Sequence, residues 1–189
     1  MKIGRIILED SIPGLKPDHY GAEIEHHLGR IFEDPAVFVR ATVPADPEKL
    51  RAAFIRLCDE EKCALVVTTG GTGLSARDIV PDVTLEVIEK ELPGFGEVMR
   101  YYSYERVKIA ALARGTAGVR GQTLIINLPS RPKAVQFCIT LLREAMSEAL
   151  EHLTGYKPAL FVDPIEIPIK KLFTFWKKKK LAPADVSSK

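Results

Sequence analysis

The sequence predicts an α/β protein with three layers, in which a mainly parallel sheet carries helices on both faces. Two observations predict it. Short apolar runs rich in β-branched residues alternate with segments of helical periodicity, and a glycine-rich loop directly follows one of those runs. Strands that alternate with helices are joined by crossovers, which makes neighbouring strands parallel. We expect residues 1–162 to form this domain and residues 163–189 to form a basic extension.

The first half of the chain supplies three of the strands and two helices. Each strand segment is a short apolar or alternating run: residues 3–8, 37–43 and 64–68. Apolar side chains at helical spacing predict a helix over residues 18–31. A second helix is expected after Asp46, because aspartate caps helices and Pro47 suits the first helical position.

The second half continues the alternation. We expect Thr84 to cap a third helix that contains Leu85 and Ile88, and a fourth helix to open at Pro93. Residues 124–128 form an apolar run typical of a buried strand. A long amphipathic helix then starts near Pro132, and Gly155 is expected to end it.

The loop with sequence TTGGTG, residues 68–73, is the strongest functional signal. Glycine permits positive φ and close approach of a ligand to the backbone. Successive free N–H groups in such a loop can bind an anion. In parallel sheets ligands bind beyond the carboxyl ends of the strands, where this loop lies. A phosphate or nucleotide loop and a tight turn are both compatible with the loop taken alone.

Composition limits the classes of protein that are compatible with this chain. The formal net charge of +2 is too small to indicate nucleic-acid binding, and the expectation is that the protein binds none. No long apolar span predicts membrane insertion, and three cysteines without paired spacing fit a reducing cytoplasm. Residues 166–189 hold seven lysines. A solvated tail, or an arm packed on a neighbouring subunit, is favoured there over specific anion recognition.

A series of motifs runs in one frame after the loop. The chain has Arg77-Asp78, then PDVT from Pro81, PGFGE from Pro93 and NLP from Asn127. With TTGGTG, this series resembles the molybdopterin-binding family of molybdenum cofactor biosynthesis, which includes bacterial adenylyltransferases and gephyrin-type G domains. The resemblance is densest over residues 64–132.

The resemblance implies a Mg²⁺-dependent transfer of AMP from ATP to molybdopterin, with release of pyrophosphate. It also implies a homotrimer in the cytoplasm, and a molybdenum-insertion protein as a partner. The alternative is a non-catalytic molybdopterin-binding or scaffold paralogue of the same fold. A P-loop NTPase is disfavoured, because the GxxxxGK[ST] pattern is absent from the sequence.

The same resemblance assigns roles to individual residues. Asp78 is the leading catalytic and Mg²⁺-binding carboxylate, and Asp46 is the second candidate for both roles. The expected substrate and nucleotide contacts are Thr69, Gly70, Gly71, Thr72, Gly73, Ser75, Gly94, Gly96, Glu97, Arg114, Pro129 and Ser130. We further expect Gly71 and Gly73 to tolerate no side chain, because a Cβ atom would meet the phosphate or force strain at positive φ. Gly71→Val should abolish ligand binding and leave the protein folded.

One carboxylate departs from the family pattern. Ala45 occupies the position of the family's second aspartate, and Asp46 matches it only after a shift of one residue. Asp46 can therefore be a metal ligand or only a helix cap. Asp10, near the end of the first strand, is a further candidate for the missing carboxylate.

Overall fold

A six-stranded sheet forms the centre of the protein. The computed structural model describes residues 1–9 and 17–161. In chain order the strands are β1 (Lys2–Leu8), β2 (Val37–Val43), β3 (Leu65–Thr69), β4 (Lys90–Glu91), β5 (Ala117–Arg120) and β6 (Thr123–Leu128). Their order across the sheet is β2-β1-β3-β6-β5-β4. The first four strands in this order are parallel, whereas β5 runs antiparallel to both of its neighbours.

Five α-helices surround the sheet in the described part of the chain. They are α1 (Pro17–Ile31), α2 (Pro47–Ile55), α3 (Val80–Val87), α4 (Pro93–Arg106) and α5 (Pro132–Thr154). A π-helical turn over Arg56–Glu60 extends α2, and a 3₁₀ helix over Lys108–Leu112 follows α4. Gly155 ends α5 with a φ of +75°, as the sequence predicts.

Two hydrophobic clusters show that the helices cover both faces of the sheet. On one face α1 and α5 pack on Leu65 and Ile126, and Met99 of α4 joins the same cluster. On the other face α2 and α3 pack on Val66 and Ile125, the next residues along the same two strands. Alternate residues of a strand point to opposite faces, so both central strands are buried on both sides. The three-layer, mainly parallel α/β fold is therefore confirmed.

The start of α3 differs from the sequence expectation. Thr84 does not cap this helix but lies inside it, fully buried, because the helix begins at Val80 with Pro81 in its first turn. Leu85 lies within the helix as expected, on its exposed side at 48% exposure, and Ile88 is the C-cap just past its last residue. Proline at the first helical positions is favourable, so the helix starts at Val80, five residues before the start that a cap at Thr84 implies.

The parallel strands β1, β2, β3 and β6 end at one edge of the sheet. The segments that follow them therefore begin side by side: Glu9, residues 44–46, residues 70–79 and residues 129–131. Asp10 and the predicted basic extension over residues 163–189 lie outside the described residues. Within the described ranges, no helix combines the length and apolarity needed to cross a membrane.

Candidate functional site

A cleft of about 790 Å³ opens at this edge of the sheet. The TTGGTG loop and Asp78 form one side of it, and α4 with the 3₁₀ helix forms another. The segment from Pro129 to Lys133 and the first turns of α5 close it. Three segments that the sequence singled out, namely the glycine loop, the PGFGE helix and the NLP segment, therefore meet in one cavity.

Gly71 is required by the packing of the protein itself. Its φ is +62°, a region that other residues adopt at a cost, and Gly70 has a φ of +89°. A Cβ atom at Gly71 would lie 2.6 Å from Leu8 Cδ2 and 2.9 Å from Val80 Cγ2. The positive φ agrees with the expected backbone strain, and the added atom would also meet the buried side chains of Leu8 and Val80, so its effect would not be confined to the ligand.

Asp78 is held by the loop that precedes it. Its Oδ2 accepts hydrogen bonds from the Ser75 N–H at 2.8 Å and from the Ser75 Oγ at 2.6 Å. Burial raises the pKa of Asp78, but hydrogen bonds from Ser75 and the Gly73 backbone, with the charge of Arg114, outweigh it. The pKa therefore lies below its usual value, so the group is a carboxylate at neutral pH.

Arg114 links the glycine loop to α3. Its Nε donates to the Gly73 carbonyl at 2.8 Å, and one Nη donates to the Asp78 carbonyl. The two Nη atoms also contact the Asp82 carboxylate at 2.8 and 3.0 Å. The backbone N–H of Arg114 donates to the Thr72 carbonyl at 2.9 Å. Most of the guanidinium donors are thus committed within the protein.

Asn127 joins four elements beneath the cleft. It is 1% exposed, and its Nδ2 donates to Thr84 Oγ1 at 2.9 Å and to Thr68 Oγ1 at 3.3 Å. Its Oδ1 accepts from the Thr116 N–H at 3.4 Å. Thr84 can be buried inside α3 because its hydroxyl oxygen accepts a hydrogen bond from Asn127.

A second, smaller pocket of about 210 Å³ lies on the other side of Asp78. Glu9 and Ala45 line it together with Asp78, whereas Asp46 does not. The Asp46 carboxylate instead accepts hydrogen bonds from the N–H groups of Glu48 and Lys49 at 2.9 and 3.1 Å. This is the predicted N-cap of α2, and a metal role for Asp46 stays a prediction.

The remaining predicted contacts fall into two groups. Those that line the large cleft are Gly71, Thr72, Gly73, Asp78, Gly96, Pro129 and Ser130, and Ser75 lines the small pocket. Those that line neither are Thr69, Gly70, Gly94, Glu97 and Arg114. The Thr69 hydroxyl donates to the Pro129 carbonyl at 2.8 Å, which ties the loop to the NLP segment. Glu97 is exposed on α4.

Sequence reasoning missed the cations of the cleft. Arg100, Arg106, Arg131 and Lys133 all line it. Arg100 follows Gly96 by four residues, about one helical turn, and Arg131 and Lys133 come shortly after the NLP segment, whereas Arg106 shows no such spacing. Those two spacings were the available signals. Cys138 also lines the cleft, but burial raises the pKa of its thiol to about 12, so it is not a nucleophile at neutral pH.

Metal-binding side chains do not cluster in the described residues. No group of three or more histidine, cysteine, aspartate or glutamate side chains is placed there to hold an ion. The arrangement therefore suits a ligand that brings its own anionic groups to a cleft with several cations and one carboxylate, Asp78.

The comparisons with known proteins agree with this geometry. Residues 34–152 match a family model described as a probable molybdopterin binding domain. The chain is 39% identical over 142 residues to a molybdopterin adenylyltransferase of Helicobacter pylori, covering 75% of this chain and 81% of that protein. It is 34% identical over 153 residues to the molybdopterin adenylyltransferase of Escherichia coli, covering 80% of this chain and 78% of that protein.

Solved structures also match the fold of this chain. The molybdopterin biosynthesis enzyme MoaB of Thermus thermophilus superposes with a TM-score of 0.73 at 34% identity, covering 84% of this chain and 99% of that one. The tungsten cofactor synthesizing protein MoaB of Pyrococcus furiosus superposes with a TM-score of 0.69 at 32% identity, covering 80% and 96%.

Proposed function

The chain belongs to the family of probable molybdopterin-binding domains, and on this premise we propose that it is a molybdopterin adenylyltransferase. It transfers AMP from ATP to the terminal phosphate of molybdopterin and releases pyrophosphate, with Mg²⁺. The observation that carries the proposal is the cleft of about 790 Å³, in which the glycine loop, Asp78 and the Pro129–Lys133 segment meet.

The groups present fit the demands of that reaction. The attacking group is a phosphate, which is already anionic, so no side chain has to be activated as a nucleophile. What displacement at phosphorus requires is alignment and neutralised charge. The cations of the cleft meet the second requirement, and the backbone of residues 71–73 can align a phosphate. The buried thiol of Cys138 takes no part.

Asp78 is the residue that we propose to hold Mg²⁺. One of its oxygens is taken by Ser75, and the carboxylate lines both pockets. Mg²⁺ in nucleotide enzymes is held by one or two carboxylates together with substrate phosphates, so a single aspartate suffices. Glu9, in the small pocket, is a second carboxylate on the same side. When bound, Mg²⁺ would neutralise charge on the ATP phosphates.

The assembly is proposed on a separate observation. Helix α4 and the 3₁₀ helix expose apolar side chains: Tyr101 at 55% and Tyr104 at 45% outside the large cleft, and Val107 at 50%, Ile109 at 64% and Leu112 at 51% along its lining. Contiguous exposed apolar surface is typical of an interface. We propose that this apolar surface packs against further copies in a homotrimer, which sedimentation equilibrium would test by mass.

The cytoplasm, which supplies ATP, is the proposed location, and a molybdenum-insertion protein is the proposed recipient of the product.

The alternative is a protein that binds molybdopterin without catalysis. Ala45 favours it, because an apolar side chain lines the small pocket where the family pattern has an aspartate. One experiment separates the two proposals. Purified protein is mixed with molybdopterin, ATP and Mg²⁺, and adenylylated molybdopterin and pyrophosphate are quantified. Pyrophosphate release that disappears in Asp78→Asn supports the enzyme. Tight molybdopterin binding with no product supports the binding protein.

A further inference from the structure

Three cations of the large cleft have no acidic partner in the part of the chain that the structure describes. Arg106 ends α4, Arg131 precedes α5 and Lys133 lies in its first turn. All three side chains line the cleft, and we call them the cation wall. Among the described residues none of the three makes an ion pair. Arg100, by contrast, donates to the Gly115 carbonyl at 3.0 Å.

Arg106 has a fixed position within the wall. Its guanidinium carbon lies 3.9 Å from the centroid of the Phe137 ring, and Phe137 also lines the cleft. A guanidinium over an aromatic face is held by cation–π attraction while its edge donors stay available. The ring therefore orients Arg106 without neutralising its charge.

Uncompensated positive charge in a concave site concentrates anions. The charges of the wall come from two elements, α4 and the start of α5, that are about 30 residues apart in the chain and meet only through folding. Asp78, the carboxylate of the cleft lining, comes from a third segment, and its Oδ2 accepts hydrogen bonds from Ser75 rather than from any cation of the wall. The wall is thus free to meet a negatively charged ligand.

We propose that the cation wall is a phosphate subsite, and that Arg106 is its specificity-determining residue. The subsite binds a phosphate or pyrophosphate group of a substrate in the cleft, and its place in catalysis rests on the function proposed above. Two sources carry this chemistry: the β,γ-phosphates of ATP and the terminal phosphate of molybdopterin. Planar, forked guanidinium donors match phosphate oxygens better than a lysine ammonium does.

The first test measures binding of inorganic pyrophosphate by calorimetry to the full-length protein. Arg106→Gln and Lys133→Gln should each raise the Kd for pyrophosphate by about tenfold, the scale of one charge-assisted hydrogen bond. Lys108→Gln is the matched control, because Lys108 stacks on Tyr104 at 4.0 Å but does not line the cleft. The control should stay within about twofold of wild type. Arg106→Lys should recover only part of the loss.

Kinetics of AMP transfer then identify the source of the phosphate. If the nucleotide supplies it, the KM for ATP rises in Arg106→Gln and the KM for molybdopterin stays constant. If molybdopterin supplies it, the KM for molybdopterin rises and the KM for ATP stays constant. The proposal is overturned if the wall variants bind pyrophosphate as Lys108→Gln does.

The two proposals fail separately. If wild-type protein binds pyrophosphate through the cation wall but transfers no AMP, the subsite proposal stands and the adenylyltransferase proposal is wrong. If wild-type protein transfers AMP but the wall variants bind pyrophosphate as the control does, the adenylyltransferase proposal stands and the subsite proposal is wrong.

Discussion

Replacing Arg114 by lysine separates two roles for this residue. The resemblance to the family assigned Arg114 to substrate binding, whereas the structure shows its guanidinium joined to Gly73, Asp78 and Asp82. Lysine keeps the charge but loses the forked geometry, since its ammonium cannot reach all three groups at once. Substrate binding through charge would survive this change. The attachment of the loop to α3 would not.

The expected size of the effect follows from the contacts. The two hydrogen bonds to main-chain carbonyls contribute about 1 kcal/mol each, the usual net value. The pair with Asp82 contributes less than about 1 kcal/mol, because Asp82 is 57% exposed. If lysine restores one carbonyl contact, the loop loses about 1–2 kcal/mol, which corresponds to a roughly tenfold higher population of its open form.

Hydrogen–deuterium exchange measures this directly. Amides of residues 72–79 in Arg114→Lys should exchange about tenfold faster than in wild type, and kcat should fall because the main chain at Asp78 loses its contact with the guanidinium. Asp82→Asn is the matched control, since it weakens only the exposed pair and should change exchange by less than about fivefold. Wild-type exchange in Arg114→Lys together with a raised KM would refute the reasoning and return Arg114 to substrate binding.

Four further predictions concern the site. Asp78→Asn should lower AMP transfer by at least ~100-fold while molybdopterin binding, measured by fluorescence, persists. Because the pKa of Asp78 is depressed, its charged form persists below the ordinary value of about 3.9, whereas the stability it adds is full above that value and is lost as the pH falls from there through the depressed pKa, which a pH titration of turnover and unfolding would check. Asp46→Ser should leave stability within about 0.5 kcal/mol and turnover within about threefold, since serine also caps helices; a steep loss of Mg²⁺-dependent turnover would establish the metal role instead. Gly71→Ala should cost about 1–3 kcal/mol of stability by clashing with Leu8 and Val80, and an unchanged Tm would contradict that packing.

The sequence predicts the parallel core well, and the physical reason is periodicity. Strands such as β1 and β6 are long enough to show an apolar run, and β2 shows alternation over Val37–Val43. The antiparallel edge escaped prediction because it is short: Lys90–Glu91 is an exposed dipeptide with no pattern of its own. It becomes a strand only through pairing with Val119 and Gly118.

The sequence predicts the backbone segments of the site but not the charged side chains that line it. Asp78 and the glycine loop are adjacent in sequence, so a local motif reveals both. Arg106 and Lys133 reach the cleft from separate helices, and their meeting depends on how α4 packs against α5. A one-dimensional pattern carries no such information. The role of Arg114 escaped for the same reason, since Gly73 and Asp82 contact it only in the folded chain.

The backbone at the start of α2 explains why Asp46 and Ala45 point to different tasks. Pro47 occupies the first helical turn, which fixes Asp46 as the N-cap, with φ −129° and ψ 116°. A cap carboxylate must face the first N–H groups of its own helix, and here it accepts from two of them. The residue that lines the pocket with Asp78 is then Ala45, one position earlier. Moving the carboxylate by one residue thus exchanges a pocket group for a helix cap, and among residues 1–9 and 17–161 the acids that line the small pocket are Glu9 and Asp78. A Mg²⁺ ion bound by these two carboxylates would take further ligands from the phosphates of the substrate.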